Sequence, residues 1–521
     1  MSSDFATARR AYDPSIVIIG AGFAGVAMAH RLMKDGFTNF VILEKDADIG
    51  GVWRDNTYPG AACDVPSALY SLSYQPNARW SRRYAEQPEI LEYLQRLVKS
   101  SGGLDAHLRT ETEVVDLSFD EQFGRWTLAT NSNETITCDV VVSAVGQLSL
   151  PYIPDIADAD SFQGPRFHSA RWDRSVSLRG KRVAVIGTGA SAIQFVPHIA
   201  REAEHVTLYQ RTAPWILPKW DSTYRGRHHR VSELLPMALR LERFAVWLIF
   251  ELLAVTLVDA KPLSRVLGVI ARHHLHRQVA SRSLREQLTP SDAPGCKRVL
   301  FSNDYYPAVA SDRVSLVPNA IAKLCDKGVT TEDGEFRPTD VVIYGTGFRA
   351  TDFLAPMSVR GSHGVSLAEV WKAQAYAYLG IAVPMFPNLF LLYGPNTNVG
   401  SGSILYMIES QVRHIATLIK VVAAHPGHAI DVKSEIAQRY NTRLKRRLGR
   451  SVWALCASWY RTSSGEIPTN WPGPTFIYRL LTRNPRSSDY VLRKVGPLAV
   501  KGSSEWKLLR RRSAQGPEAQ T

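Results

Sequence analysis

Cysteine is scarce in this chain of 521 residues: Cys63, Cys138, Cys296, Cys325 and Cys456 are scattered, with no C-x-x-C spacing among them. The scatter argues against a zinc site and a disulfide framework, so free thiols in a reducing compartment are the expectation. Long hydrophobic runs are missing too. Phe244 to Val258 is mostly apolar over fifteen residues but holds Glu251 inside it, and a bilayer span takes about 20. A buried or interface helix is therefore the expectation there, with membrane-surface contact through the flanking Arg240, Arg243, Lys261, Arg265 and Arg272 as the alternative. The opening residues MSSDFATARRAYDPS contain no apolar signal core, which predicts a cytoplasmic chain. Acidic residues are in deficit, 48 against 62 Lys and Arg, for a formal charge of +14. Such an excess suits nucleic acid, an anionic membrane surface or a phosphate-bearing cofactor. Much of it lies between Arg225 and Arg298 and in the tail KLLRRR ending at Arg512. Neither stretch interleaves aromatics as a single-strand platform does, so a solvated basic face, not a nucleic-acid partner, is expected.

What is present is one kind of unit, used twice. The length suggests about three domains, and 45% hydrophobic with 21% charged residues permits a sizeable core. In SIVIIGAGFAGVAMAHRL an apolar β-branched run leads into Gly20, Gly22 and Gly25, spaced G-x-G-x-x-G, and then into an amphipathic helix. The first glycine permits a tight turn, the second lets backbone approach a pyrophosphate, and the third lets the helix pack close to the sheet. FVILEKD returns as a strand ending in Glu44, placed to accept from ribose hydroxyls. The second unit, KRVAVIGTGASAIQFVPHIA, repeats the spacing with Gly187, Gly189 and Ala192, and its return strand ends at Arg211 and Thr212. An arginine there pairs with a 2′-phosphate that a carboxylate would repel. The first site reads as FAD or NAD and the second as NADPH; together they suggest hydride transfer to a flavin. The predicted fold class is α/β, with two Rossmann-like dinucleotide-binding domains and a helical insertion in the second.

The linker between the units reads FQGPRFHSARWD, with Phe162, Gly164, His168, Trp172 and Asp173. Here the chain resembles the Baeyer–Villiger monooxygenases, whose fingerprint is F-x-G-x-x-x-H-x-x-x-W followed by Pro or Asp. The run GGVWRDNTYPGAACD, residues 50–64, resembles that family's other fingerprint through Gly51, Trp53, Tyr58, Pro59, Gly60 and Asp64. The resemblance covers nearly the whole chain. It implies FAD and NADPH as cofactors, a ketone and O2 as substrates, and an ester or lactone formed through a C4a-peroxyflavin. It also implies site residues. In CKRVLFSNDYY, Lys297 would help hold the 2′-phosphate and Arg298 would stand over the flavin as the catalytic arginine, paired with Asp64. Trp459 of SWYRT would lie near the nicotinamide ribose, and VVIYGTGF resembles the family's A-T-G turn with Gly345 in place of alanine. Trp53 and Tyr58 would wall the cofactor. No metal site is expected.

A fixed guanidinium keeps its proton at any working pH and stabilises developing negative charge on oxygen in a site with little water, which is the physical case for Arg298. Read without the family, Asp64 before Val65–Pro66–Ser67 also fits a turn or helix cap, and Lys297–Arg298 also fits a solvated dyad. His168 is read as fixing the connection between the units and Trp172 as hinge packing, not as catalytic groups. The order of motifs predicts a discontinuous FAD domain, 1–150 and 376–521, and an NADPH domain, 151–223 and 295–375, with the helical insertion at 224–294. Rival readings are a flavin monooxygenase acting on sulfur or nitrogen, a non-catalytic flavin or nucleotide sensor, and an oxidase releasing hydrogen peroxide. Nothing in the pattern decides the ketone or the oligomeric state.

Overall fold

The computed structural model describes residues 10–495 apart from 227, 228, 230, 231, 233 and 260. The basic KLLRRR tail and the first nine residues lie outside the described residues.

Two five-stranded parallel sheets carry the molecule. The first runs in the order Leu389–Leu391, Val140–Ser143, Ile16–Ile19, Phe40–Leu43, Leu108–Arg109. The second runs Val314–Val317, His205–Tyr209, Arg182–Ile186, Val341–Tyr344, Arg166–His168. Parallel sheets are covered on both faces, so their strands read as continuous apolar runs. Ile16–Ile19, Phe40–Leu43, Val140–Ser143 and Val341–Tyr344 are buried at every position. Over the first sheet, helix Phe23–Lys34 packs against helix Ile404–Ala424. The latter buries Ile408, Val412, Ile415, Ile419 and Val422, whose three- and four-residue spacing makes one helical face. Leu389–Leu391 thus returns from late in the chain to the N-terminal sheet, beside Val140–Ser143. Ser358–Arg360 also pairs with an N-terminal strand, Val114–Asp120.

The insertion is helical, with Pro236–Asp259 and Lys261–Gln278 packed on each other, followed by Arg282–Leu288. Glu251 anchors the first of these helices. Its Oε1 accepts from the Thr475 N–H at 3.1 Å and from the Thr475 hydroxyl, and burial raises its pKa. Arg243 adds bonds to the carbonyls of Ala68, Leu69 and Ser71 at 3.1, 3.2 and 2.8 Å. The expected burial of the Phe244–Val258 stretch holds on one side only, because Phe244, Leu248, Ile249 and Leu252 are exposed. A composition apolar all round cannot say which side of a helix is covered.

The thiol expectation is corrected at one pair. Cys296 and Cys456 form a disulfide across a sequence separation of 160, with Cα atoms 6.1 Å apart. Local spacing cannot foresee two cysteines brought together by the approach of distant loops. Cys63, Cys138 and Cys325 are free.

Candidate active site

The glycine turns are built as the spacing requires. Gly20 has φ +102° and a Cβ there would meet the Ala144 carbonyl oxygen at 2.8 Å. A Cβ on Gly25 would lie 1.9 Å from the Gly20 oxygen, so the helix approaches the turn as closely as backbone allows. Glu44, buried at the end of its strand, accepts from the Ala21 N–H at 2.7 Å and from Arg54 at 3.3 Å. At the carboxyl end of the sheet, Ser143 Oγ and Gln147 Oε1 are buried without a partner among the described residues. A backbone cradle with spare polar atoms beside it fits a dinucleotide such as FAD.

The second turn matches the first at its first glycine. Gly187 has φ +105° and its absent Cβ would fall 2.5 Å from the Gly345 oxygen. Ala192 opens the following helix, and a Cβ on Gly345 would lie 3.3 Å from the Cβ of Ala192. Alanine in the third place of the turn thus goes with glycine where the family shows alanine. At the strand end Arg211 and Thr212 are exposed. Lys297 Nζ donates to Thr212 Oγ1 at 2.9 Å and pairs with Asp292 at 2.6 Å. Among the described residues Arg211 has no carboxylate partner. Three groups suited to a 2′-phosphate therefore converge from two segments, Arg211, Thr212 and Lys297.

The loop 50–64 joins the units. Gly50 donates to the Ala21 carbonyl at 3.1 Å, and a Cβ on Gly51 would sit 3.4 Å from Gly22 Cα, so backbone meets backbone beside the first turn. Trp53 Nε1 donates to the Tyr70 hydroxyl at 2.9 Å. Tyr58 goes the other way. Its hydroxyl donates to Gln194 Oε1 at 3.0 Å, on the helix after the second turn, and Gln194 donates back to the Ala62 carbonyl at 2.9 Å. Gly60 has φ +78°, and a Cβ there would meet His198 Nε2 at 2.4 Å on the same helix. Tyr58 therefore latches the loop to the helix after the second turn, whereas Trp53 bonds to Tyr70.

The linker fingerprint reinforces the latch. Arg171 pairs with Asp55 of the loop at 3.2 Å, and Trp172 packs on Phe195 and Phe167 at 5.4 and 5.2 Å. His168 is buried; its Nδ1 accepts from the Ala170 N–H at 3.1 Å, and burial lowers its pKa to about 4. It is held as a neutral structural ring.

At the end of the loop, Asp64 receives Arg298 in a bidentate pair, Nε to Oδ2 and Nη2 to Oδ1, both at 2.8 Å. Both side chains remain 27% exposed. The Asp64 charge raises the Arg298 pKa further above its ordinary value, so the cation persists throughout the usable pH range. Tyr393 and Tyr460 stand near the guanidinium, and burial outweighs that cation and pushes the Tyr460 phenol up to about 12. Trp459 lies against Tyr460 with ring centroids 4.3 Å apart. Sequence reading missed both tyrosines, although Tyr460 lies within the quoted SWYRT. The Cys296–Cys456 bond stands two residues before Arg298 and four before Tyr460 and ties these two loops together. Asp64 and Arg298 line a cleft together with both insertion helices. Phe250 and Leu253 of the first insertion helix, Leu267 of the second, and Leu217, Val299 and Phe301 make its lining mostly apolar. The arrangement is a fixed cation in the wall of a mostly apolar cleft, suited to hold negative charge on oxygen.

A family profile described as pyridine nucleotide-disulphide oxidoreductase matches residues 17–227. Over 488 residues the chain is 39% identical to a Baeyer–Villiger monooxygenase of Streptomyces coelicolor, covering 93% of this chain and 94% of the relative. A Baeyer–Villiger monooxygenase of Pseudomonas aeruginosa is 40% identical over 488 residues, covering 93% and 92%. Among solved structures, a complex of OTEMO with FAD and NADP superposes with a TM-score of 0.82 at 26% identity, covering 93% of this chain and all of that one.

Proposed function

This chain belongs to the Baeyer–Villiger monooxygenase family, and from that membership we propose which of its residues carry the reaction and what kind of ketone they serve. It is an FAD- and NADPH-dependent monooxygenase. FAD, when bound, supplies the redox chemistry that activates O2. Gly20, Gly22, Gly25, Glu44, Gly51 and Trp53 hold the flavin nucleotide, and Gly187, Gly189, Ala192, Arg211, Thr212 and Lys297 hold NADPH with Trp459 beside its ribose. The FAD domain comprises about 1–150 and 376–521, joined by Ser358–Arg360, which pairs with Val114–Asp120; the remaining segments between make the NADPH domain, with the insertion at about 224–294.

The observation that carries the catalytic assignment is the bidentate Arg298–Asp64 pair in the wall of the mostly apolar cleft. Asp64 fixes the plane of the guanidinium, and Arg298 presents its remaining N–H groups toward the cleft as donors for an oxyanion. A tetrahedral adduct formed when an oxygen nucleophile attacks a ketone carries charge on oxygen, and these donors stabilise it. The Phe250, Leu253, Leu267 and Phe301 lining favours an apolar ketone over a charged one.

Arg298→Ala tests this. Losing one preorganised donor costs about 3 kcal/mol, so ketone oxidation falls by roughly two orders of magnitude, while flavin content and NADPH binding stay near normal. Ester and lactone products from linear, cyclic and aryl ketones are quantified by mass spectrometry. Turnover at the unmodified rate in this variant overturns the assigned role.

A further inference from the structure

The outer face of the insertion is the least expected surface of the molecule. On helix Pro236–Asp259, Met237, Leu241, Phe244 and Leu248 are spaced four, three and four residues apart, which places them on one stripe. Leu241 is 62% exposed and Phe244 is 55% exposed. The opposite side of the same helix supplies Phe250 and Leu253 to the catalytic cleft. A helix apolar on both sides is ordinarily covered on both; here one cover is the cleft and the other is solvent. The second insertion helix adds exposed Val266, Val269 and Ile270, and helix Thr475–Thr482 adds Phe476, Leu480 and Leu481. Contiguous apolar surface of this kind marks an interaction site.

The stripe runs into a basic cluster through direct ring contacts. Phe244 lies 5.5 Å from Trp247, Trp247 lies 6.0 Å from Tyr406, and the Arg479 guanidinium sits 4.2 Å over Tyr406. Arg479 pairs with the mostly buried Glu409 at 3.6 Å, and Arg31 pairs with Asp35 at 2.8 Å. Arg413 and Arg483 have no carboxylate partner among the described residues. Burial first, then the nearby charges of Arg479, Arg31 and Arg483, pull the Arg413 pKa down. Like charges held together on a chain of net charge +14 call for an anionic partner.

We propose that this face docks on an anionic phospholipid surface, with the Met237–Leu248 stripe and Phe476–Leu481 entering the headgroup boundary and Arg413, Arg479 and Arg483 meeting lipid phosphates. The chain lies on the membrane and does not cross it; among the described residues no helix is long and apolar enough to span one. Apolar face and flanking basic groups are the two terms that set interfacial binding. A second copy of this chain is the less favoured occupant. A two-fold contact presents the same patch on both sides, so it would enclose two sets of unpartnered arginines in one interface and add no anionic group to meet them.

The test uses the full chain with FAD bound. Flotation with vesicles of equal parts phosphatidylcholine and phosphatidylglycerol shows binding that weakens with salt and is weaker still on phosphatidylcholine alone. Leu241→Glu combined with Leu248→Glu lowers the partition coefficient by about tenfold or more, and Arg413→Glu combined with Arg483→Glu does likewise. Both variants keep the wild-type rate of NADPH oxidation with a water-soluble ketone, which shows that they are folded and separates this inference from the catalytic assignment. Three results overturn it: no vesicle binding by the parent chain; binding unchanged in both variants but lost on removal of residues 496–521; or a dimer in sedimentation that the Leu241→Glu, Leu248→Glu variant converts to monomer.

Discussion

The two nucleotide units are alike at their first glycine and unlike at their third. Gly20 and Gly187 both hold φ near +100°, and each would drive a Cβ into a carbonyl of the neighbouring strand's end. At the third position the first unit has Gly25, where a Cβ would fall 1.9 Å from backbone oxygen, and the second has Ala192, whose Cβ faces Gly345. The strand ends differ as well. Glu44 is buried and bonded to the turn itself, whereas Arg211 is exposed. The lesson is that one backbone plan takes two ligands through local differences: close helix approach with an acid on one side, a looser turn with a cation on the other.

Substitution at these two positions breaks the likeness most sharply. Gly25→Ala puts a methyl group into immovable backbone and costs at least about 3 kcal/mol, the upper range for overpacking. The expected result is protein purified with little flavin, read from the ratio of flavin to protein absorbance. Gly345→Ala meets the Ala192 methyl at 3.3 Å and the Gly187 and Ile186 oxygens at an ordinary 3.5 Å and costs below about 1 kcal/mol, leaving flavin content intact with a modest rise in the KM for NADPH. Equal damage from both substitutions would mean that the units are packed alike.

The Cys296–Cys456 bond crosses between the units' catalytic loops, so removing it asks how far they act as one. Loss of a disulfide closing so long a loop costs up to about 5 kcal/mol by chain entropy, against about 2–4 for a typical bridge. Cys296→Ser, or reduction of the parent with a dithiol, is expected to lower Tm by several degrees and to raise the KM for NADPH while flavin stays bound. A parent enzyme whose Tm ignores the dithiol, with both thiols found free by alkylation, contradicts the pairing.

Each unit also buries one histidine, His168 beside the second sheet and His414 on the helix over the first, and burial lowers both pKa values to about 4 from 6.5. His414 is bonded at both nitrogens, to the Thr482 carbonyl at 3.0 Å and the Tyr490 hydroxyl at 2.7 Å. The unfolded chain takes up the proton first, so the stability from holding each ring neutral is full above about pH 6.5 and is lost as pH falls toward 4. Between about pH 7 and pH 5 each contributes on the order of 2 kcal/mol to that loss. Urea unfolding at the two pH values in His168→Gln and His414→Gln measures this, and each substitution should flatten the slope by a similar amount. A slope that only one of them changes breaks the symmetry between the units.

Much of this was legible before any coordinates. The glycine spacings, the strand-end acid and the strand-end arginine sit within single βαβ units, where sequence distance and spatial distance agree. The pairing of Asp64 with Arg298 crosses 234 residues and came from the family resemblance; without it Asp64 fits a turn or helix cap and Lys297–Arg298 a solvated dyad. Three features were beyond reach for one reason, that they depend on how the units meet. Tyr58 reaches Gln194, Cys296 meets Cys456, and Tyr393 and Tyr460 gather near Arg298 from loops far apart. The insertion helix failed differently: its residues are apolar on every side, so periodicity held no signal for which side faces water.

The finest test of the comparison is the choice between NADPH and NADH. The 2′-phosphate can draw on Arg211 and on Lys297, but these differ in how much charge they have to give. Lys297 is already paired with Asp292 at 2.6 Å and bonded to Thr212 at 2.9 Å, so part of its field is spent before the cofactor arrives. Arg211 has no such partner, and its planar fork matches a phosphate. Arg211→Ala should therefore raise the KM for NADPH about tenfold, or about 1.4 kcal/mol, with the KM for NADH nearly unchanged. Lys297→Ala should raise it less, because a lysine meets a phosphate as a screened point charge without the bidentate fork of an arginine. Steady-state NADPH and NADH oxidation by both variants ranks the two residues. If the two cofactors' KM values move together in Arg211→Ala, the arginine supports the fold of the turn and not the phosphate, and the contrast with Glu44 loses its chemical meaning.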